Sequence, residues 1–248
     1  MNRLILLLCI ISFVSCKNEK TLTEEEQRWQ QRAENTEIIR DDFGVPHIYG
    51  KTDADAVFGL LYAQCEDDFN RVERNYIWAI GRLAEVEGEE AIYSDLRANL
   101  YMTKEEAIYN YNNSPKWLQE LCIAFADGIN YYLKTHPEVQ PQLLTHFEPW
   151  MPMYFSEGSI GGDIERVSTR KIKDFYDKSG DNRVAVNDGL IRIKDEEPRG
   201  SNGFAIAGSK TKSGDAMLLI NPHTSFYFRG EVHVVSEEGL NAYGAVTW

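Results

Sequence analysis

The sequence predicts an α+β protein, with a helical first half followed by the opening strands of a β-sheet. Apolar residues recur at three- and four-residue spacing between residues 52 and 133, which is typical of amphipathic helices. After residue 200, short runs rich in branched and aliphatic residues alternate with Gly- or Pro-bearing turns, which is typical of strands. With 248 residues, 43% of them hydrophobic, the chain is long enough to bury a substantial core.

The first residues predict export. Arg3 precedes an apolar run from Leu4 to Val14 that is too short to span a bilayer and is typical of a secretory signal. The run ends at Cys16, in a context similar to the lipobox of bacterial lipoproteins. We therefore expect residues 1–16 to be a signal peptide, and the protein to be periplasmic or held on the outer membrane by a lipid on Cys16. An ordinary signal peptide with an incidental cysteine is the alternative.

The elements that follow are predicted in chain order. Residues 17–35 are polar and predict a tether or a poorly packed leading helix, and 37–49 predict a hairpin around an Asp-Asp-Phe-Gly turn. Asp53 can cap the next helix, which is followed by a second helical stretch through residues 77–80. Within a helical region that we place at 36–175, further helices are expected from Lys104 to Tyr111 and from Pro115 to Leu133.

The later part of the chain divides into a spacer and a sheet. Residues 176–200 are charged and punctuated by glycine, which is typical of a linker. Strands are predicted at residues 204–207, 216–220 and 231–235 within a final segment of 201–248. The sheet pattern is incomplete where the sequence stops, so we expect an incomplete fold.

Charge and composition narrow the classes of function. A net charge of −13 excludes nucleic-acid binding, because phosphate contacts need clusters of Lys and Arg that this sequence lacks. Cys65 and Cys122 could pair in an oxidising compartment or pack separately as small apolar groups, and the sequence leaves both open. The histidines show no metal-ligand spacing; His47 is interpreted as satisfying local backbone groups, and His233 lies in a predicted strand.

The acidic residues of the first half are interpreted as structural. Capping and ion pairing with nearby arginines account for them better than a metal or acid–base cluster does. The acidic residues are Asp41, Asp42, Asp67 and Asp68, and the arginines are Arg40, Arg71 and Arg74.

The junction between spacer and sheet, Gly200-Ser201, carries the chemical hypothesis. A serine needs a base, and a serine that is the first residue of a chain has its own α-amine within reach. An α-amine suits this role because it titrates at about 7.7–8.0, close to neutral pH. A glycine before the serine lets the hydroxyl approach the preceding carbonyl, so Gly200 favours release of Ser201 by a cut at this bond.

The surrounding motifs resemble the penicillin acylase family. Residues 200–204 (Gly-Ser-Asn-Gly-Phe), 208–214 and 218–223 are similar to the start of that family's β chain, and 40–48 and 59–68 to the start of its α chain. The segments follow in the family's order and cover roughly residues 36–248, with 150–200 poorly matched. The resemblance implies an N-terminal-nucleophile hydrolase of αββα type, made as one precursor that cuts itself at Gly200-Ser201 into α and β chains.

The resemblance also implies an activity. Ser201 would attack the amide of a small N-acyl compound, such as a β-lactam or an N-acyl homoserine lactone, and form an acyl-enzyme that water resolves. His223 stands at a supporting position; a histidine there is similar to the branch with cephalosporin acylases and acyl-homoserine-lactone acylases. The family's oxyanion donors lie beyond Trp248, so we expect the chain alone to be inactive.

Two further expectations complete the interpretation. No cofactor is expected; calcium occurs in some members of the family, but its ligands cannot be placed in this sequence. A lipid-anchored envelope binding protein without catalysis, in which Ser201 lies in an ordinary loop, is the alternative function.

Overall fold

Helices and strands both contribute to the chain, which confirms the mixed α and β class. The computed structural model describes residues 22–154, 167–176, 200–223 and 229–247. Its helices are α1 (Glu24–Glu34), α2 (Asp53–Ala79), α3 (Ala84–Glu87), α4 (Ile92–Asn99), α5 (Lys104–Asn113), α6 (Lys116–Thr135) and α7 (Thr169–Tyr176). Its strands are β1 (Thr36–Arg40), β2 (Pro46–Gly50), β3 (Gly200–Ile206), β4 (Met217–His223), β5 (Arg229–Ser236) and β6 (Asn241–Thr247).

The strands form two sheets in the described part of the chain. One has the order β1-β2-β5-β6, and the other is the hairpin β3-β4. Strands β1 and β2 pair antiparallel as the sequence predicts, with Ile38 opposite Ile48. Strand β5 pairs parallel to β2, with Ile48 opposite Val234. This parallel pairing joins a strand before the predicted cleavage point to a strand after it.

Helix α2 is capped by Thr52 and carries a kink. The Thr52 hydroxyl accepts a hydrogen bond from the Asp55 amide, and the Asp55 side chain accepts from the Thr52 amide, which is a capping box. The N-cap is therefore Thr52, whereas the sequence analysis predicts Asp53. At Asp68 the backbone leaves helical geometry, with φ −160° and ψ 76°, which divides the helix near the boundary between the two predicted helical stretches.

The main core lies between α2 and α6. Helix α6 approaches α2 closely at Gly128, where a Cβ would stand 2.5 Å from the Phe58 carbonyl oxygen. Side chains from both helices and from the segment after α6 form one buried apolar cluster. The largest of them that are almost fully buried are Leu61, Val72, Ile77, Ile129 and Phe147. The apolar stripes predicted from the sequence are thus core faces.

The same helix α2 also covers one face of the four-stranded sheet. Ile48, Val232 and Val234 point to this face and pack against Ala56 and Ala63 of α2. The alternate residues of the strands point to the opposite face of the sheet, because side chains alternate along a strand. Helix α2 therefore contributes to two cores, one with α6 and one with the sheet.

Residues 24–34 form a helix, which is one of the two forms predicted for this segment, but the helix is packed and not loosely attached. Thr23 caps α1 through a capping box with Glu26, and Trp29 and Arg32 are buried against the body of the protein. The carboxylate of Asp127 on α6, which is 1% exposed, accepts hydrogen bonds from Trp29 Nε1 at 2.8 Å and Arg32 Nε at 3.2 Å. Arg28 adds two more bonds to it at 2.7 Å. The burial of this helix cannot be predicted from its polar composition, because several of the groups that it buries or pairs are charged.

Several predictions concern residues that lie outside the described ranges. They include the signal peptide with Cys16, the first part of the predicted tether, and residues 177–199 of the predicted spacer. Within the described ranges, no helix is long and apolar enough to cross a membrane.

Replacement of Asp127 tests the attachment of α1. Asp127→Ala removes the buried acceptor that Trp29 and Arg32 share and leaves Arg32 with Asp55 alone as its buried carboxylate, so we expect the free energy of unfolding to fall by about 3 kcal/mol. Urea denaturation followed by circular dichroism measures it. Glu120→Ala is the matched control, because Glu120 lies 3.6 Å from Arg32 but is 59% exposed, and its loss is expected to cost less than about 1 kcal/mol. Equal effects would contradict the role of Asp127.

Candidate active site

The two predicted catalytic positions lie at one end of the β3-β4 hairpin. In the backbone register, Gly200 pairs with His223 and Ser201 pairs with Pro222. Ser201 and His223 are therefore one position apart across the hairpin, although 22 residues separate them in the sequence, since 223 − 201 = 22. The proposed cleavage point and the proposed supporting residue thus share one strand end.

The turn at the other end of the hairpin fixes this register. Thr211 Oγ1 accepts a hydrogen bond from the Gly214 amide at 3.1 Å and lies 2.8 Å from the Asp215 carbonyl oxygen, to which it can donate. Gly214 has φ +85°, a conformation that glycine adopts without steric cost. Because a slip of one residue would reverse the face of every side chain in a strand, this turn determines which residues meet at the Ser201 end.

The hairpin is apolar on both faces, and both faces are exposed. Opposite residues share a face, so Phe204 and Leu219 lie on one face, whereas Leu218 and Ile220 lie on the other. Their exposed fractions range from 53% for Leu219 to 70% for Leu218. Strands that are apolar on both faces are typical of sheets covered on both sides. The composition of the hairpin therefore suits a strand pair in the interior of a layered protein.

A histidine pair lies on the face of the four-stranded sheet opposite α2. His47 of β2 stands opposite His233 of β5, and their Nδ1 atoms are 3.0 Å apart. His47 Nε2 lies 3.5 Å from Asp41 Oδ2, and His233 Nε2 lies 3.1 Å from Asn241 Oδ1. The interpretation of His47 as a partner of local backbone groups was wrong, because its contacts are to side chains.

Aromatic and acidic groups surround this pair. The Tyr49 ring meets His233 edge to face, and the Tyr243 ring lies 5.9 Å from it, centroid to centroid. Tyr243 donates a hydrogen bond to Glu231 at 2.5 Å, which raises the pKa of Tyr243.

The carboxyl group of Asp41, next to His47, has a lowered pKa. Desolvation acts to raise this pKa, but hydrogen bonds from the Val45 and Phe43 amides and the neighbouring His47 lower it overall.

The sequence indicates on which face of the sheet each histidine lies, but it does not indicate that the two histidines meet. Each histidine sits between apolar residues that point the other way, and this alternation indicates a side chain on the open face of a sheet. Nothing local indicates that β2 and β5, whose histidines are 186 residues apart, would pair.

Three of the four acidic residues singled out in the first half make contacts of the kind that the sequence indicated. Arg40 lies 2.9 Å from Asp67, and Arg71 lies 3.1 Å from Asp68. Asp41 Oδ1 accepts the Phe43 and Val45 amides at 2.9 Å and so closes the β1-β2 turn. Arg74 pairs instead with Glu87. Within the described ranges, no group of three His, Cys, Asp or Glu residues could hold a metal ion.

The two cysteines are separate, buried thiols. Both Cys65 and Cys122 are free. Burial raises the pKa of the Cys122 thiol to about 11, and it raises the pKa of Cys65 further. A thiol is nucleophilic only as the thiolate, so neither residue suits a catalytic role at neutral pH.

Comparison with known proteins assigns the chain to a family. The penicillin amidase family model matches residues 35–248, and the chain belongs to this family. This match confirms the resemblance drawn from the sequence motifs.

Individual relatives match over parts of their length. Acyl-homoserine lactone acylase QuiP of Pseudomonas aeruginosa is 31% identical over 124 residues, which cover 48% of this chain and 15% of QuiP. Penicillin acylase 2 proenzyme of Pseudomonas sp. strain SE83 is 22% identical over 236 residues, which cover 78% of this chain and 30% of the proenzyme. The chain therefore spans less than a third of either curated relative.

A solved structure aligns with part of the chain. A thermostable penicillin G acylase from Alcaligenes faecalis aligns with a TM-score of 0.38 and 22% identity, covering 59% of this chain and 75% of that one. The αββα arrangement stays a prediction from the family resemblance.

Thiol labelling tests the cysteine assignment. In the folded protein without reductant, we expect Cys65 and Cys122 to react slowly with a thiol-specific reagent at about pH 8, because both are buried and protonated. In denaturant, both should react at once. Mass spectrometry of the labelled peptides provides the measurement. If both cysteines stay unlabelled in denaturant until a reductant is added, they form a disulfide, and the assignment as free thiols is wrong.

Proposed function

We propose that the chain is part of an N-terminal-nucleophile hydrolase that cleaves the amide bond of small N-acyl compounds. The observation that carries the proposal is the position of Gly200-Ser201 at the start of β3, inside the family match and paired with the strand end that bears His223. The chain matches a named acyl-homoserine lactone acylase and a named penicillin acylase, which supports an acylase activity.

The first step is cleavage of the chain itself. The hydroxyl of Ser201 attacks the carbonyl carbon of Gly200, the peptide bond breaks, and Gly200 passes to the Ser201 oxygen as an ester. Water then hydrolyses this ester. The products are a carboxylate at Gly200 and a free α-amine at Ser201, which begins a new chain.

Catalysis follows with the same hydroxyl. The freed α-amine accepts the proton of the Ser201 hydroxyl, directly or through a water, as the oxygen attacks the amide of the substrate. The amine returns this proton to the leaving nitrogen, and the acyl group stays on Ser201 as an ester. Water resolves the ester, releases the carboxylic acid and restores Ser201. No step needs an oxidant, a reductant or a cofactor.

His223 is proposed as a positioning residue. In the backbone register His223 lies opposite Gly200, the residue that the cut would separate from Ser201, so we propose that its imidazole hydrogen-bonds the new α-amine and fixes the direction of that amine. Such a bond would hold the amine in reach of the hydroxyl, and this geometry determines how readily the proton moves.

The proposed substrates share one chemical feature. The relatives are named for penicillins and for acyl-homoserine lactones, and both contain an acyl group joined through an amide to a small cyclic nucleus. We propose this class of substrate. We also propose that the protein is exported and anchored by a lipid on Cys16, which fits a substrate that is met outside the cytoplasm.

Mass spectrometry of the protein expressed from the complete reading frame tests the cleavage. We expect a fragment that begins at Ser201 in the wild type and an unbroken chain in Ser201→Ala. Ser201→Cys retains a nucleophile and should still be cut. Ser209→Ala is the matched control, because Ser209 is an exposed residue of the same hairpin, and it should be cut like the wild type.

The same spectra distinguish the alternatives. A wild-type chain that stays intact through residue 201 would contradict the hydrolase proposal and favour an envelope binding protein. The first peptide of the mature protein tests the anchor, because it should begin at Cys16 with the added mass of a lipid and lose that mass in Cys16→Ala.

A further inference from the structure

The His47–His233 pair is unusual because two titratable rings face each other directly. Their Nδ1 atoms are 3.0 Å apart, which is a hydrogen-bond distance, so a single proton can bridge them. A hydrogen bond between two imidazoles needs one nitrogen as the donor and the other as the acceptor. The bond therefore exists only when exactly one of the two Nδ1 atoms carries a proton.

The outer nitrogens of the pair are also fixed. His47 Nε2 faces Asp41 Oδ2 at 3.5 Å, and His233 Nε2 faces Asn241 Oδ1 at 3.1 Å, so each oxygen can accept a hydrogen bond from the ring N–H that faces it. With both outer nitrogens protonated and one proton shared, the pair carries three protons and a single positive charge. Asp41, on the turn between β1 and β2, is the carboxylate that faces this charge.

A fourth proton has no place in this arrangement. It would set two N–H groups against each other across 3.0 Å and put two positive charges side by side. The remaining groups around the pair do not offset this. Tyr49 and Tyr243 present rings, Ile39 pairs with His47 from β1, and Glu231 already accepts the bond from Tyr243.

We infer that the His47–His233 pair is a pH-dependent latch between the segment before Ser201 and the segment after it. The latch is closed by one shared proton near neutral pH and opens when acid protonates both rings. The inference of a pH-dependent latch rests on the geometry of the pair alone. The role of the latch as a contact between separate α and β chains rests also on the proposed cleavage, which would leave His47 and His233 in different chains.

The sign of the pH dependence follows from the proton count. In acid, the unfolded chain binds four protons on the two rings, whereas the folded chain with a closed latch binds three. The unfolded state then gains stability as the pH falls, by up to about tenfold in the folding equilibrium constant per pH unit. A histidine in an unfolded chain is half protonated near about pH 6.5, so the two unfolded rings bind more than three protons only below about pH 6.5. The window for the experiment is therefore about pH 6.5 to pH 5.

Denaturation of an uncut chain tests the latch without the proposed cleavage. In the Ser201→Ala background, we expect urea stability to fall between about pH 6.5 and pH 5. His233→Asn keeps an amide at the position of Nδ1 but cannot accept a second charge, so it should lose most of this fall. His146→Asn removes an exposed histidine elsewhere and should retain the fall. Equal pH dependence in all three proteins would overturn the latch.

Nuclear magnetic resonance provides a second readout that a purely structural role would not change. The rings of His47 and His233 should titrate in two coupled steps in the Ser201→Ala protein. His47 should titrate in a single step after His233→Asn. Independent single-step titration of both rings in the unsubstituted pair would also overturn the latch.

Native mass spectrometry of the cut protein tests the contact between chains. We expect the two fragments to separate more readily at about pH 5 than at about pH 6.5, and His233→Asn to reduce this difference. If the wild type is not cut, the proposed function fails, and the uncut chain still decides the latch.

Discussion

The parallel pairing of β2 with β5 is the constraint on which the rest of the structure depends. It brings a strand that follows the first hairpin beside one that follows the predicted cleavage point. Without it, Ile48 and Val234 would not meet, and α2 would lack the apolar face that Ala56 and Ala63 cover. The helices between the two strands form the long crossover that a parallel pair requires. A cut at Gly200-Ser201 would leave this pairing in place, since neither paired strand contains the bond.

The helical part supplies a rigid support for this sheet. Helix α2 packs on the sheet with one side and on α6 with another, and the close approach at Gly128 leaves little room for movement between the helices. Asp127, buried on α6, then holds α1 through Trp29 and Arg32. The β3-β4 hairpin differs from this support, because its large apolar side chains are exposed on both faces. The proposed nucleophile thus sits on an element whose composition suits burial under additional protein.

The sequence predicted those elements whose signals are local. The helix predicted from Pro115 to Leu133 is found at Lys116–Thr135, and the first hairpin surrounds the expected turn. The packing of α1 was missed because its buried contacts are ionic, and average polarity cannot distinguish a paired arginine from a solvated one. The His47–His233 pair was missed because strand pairing between residues 186 positions apart produces no periodic pattern in the sequence. The position of Ser201 could be predicted from motifs, but its register opposite Pro222 depends on the turn chemistry around Thr211.

Hydrogen exchange of the protein after cleavage is the most direct measurement of the central claim that the segments before and after Ser201 form one folded unit. Peptides that cover residues 46–50 and 229–236 report on the two paired strands. The account predicts that amides in both peptides stay protected in the cut protein at neutral pH, because the sheet hydrogen bonds survive the cut. Exchange of 229–236 at the rate of an unstructured peptide, with 46–50 still protected by β1, would contradict it.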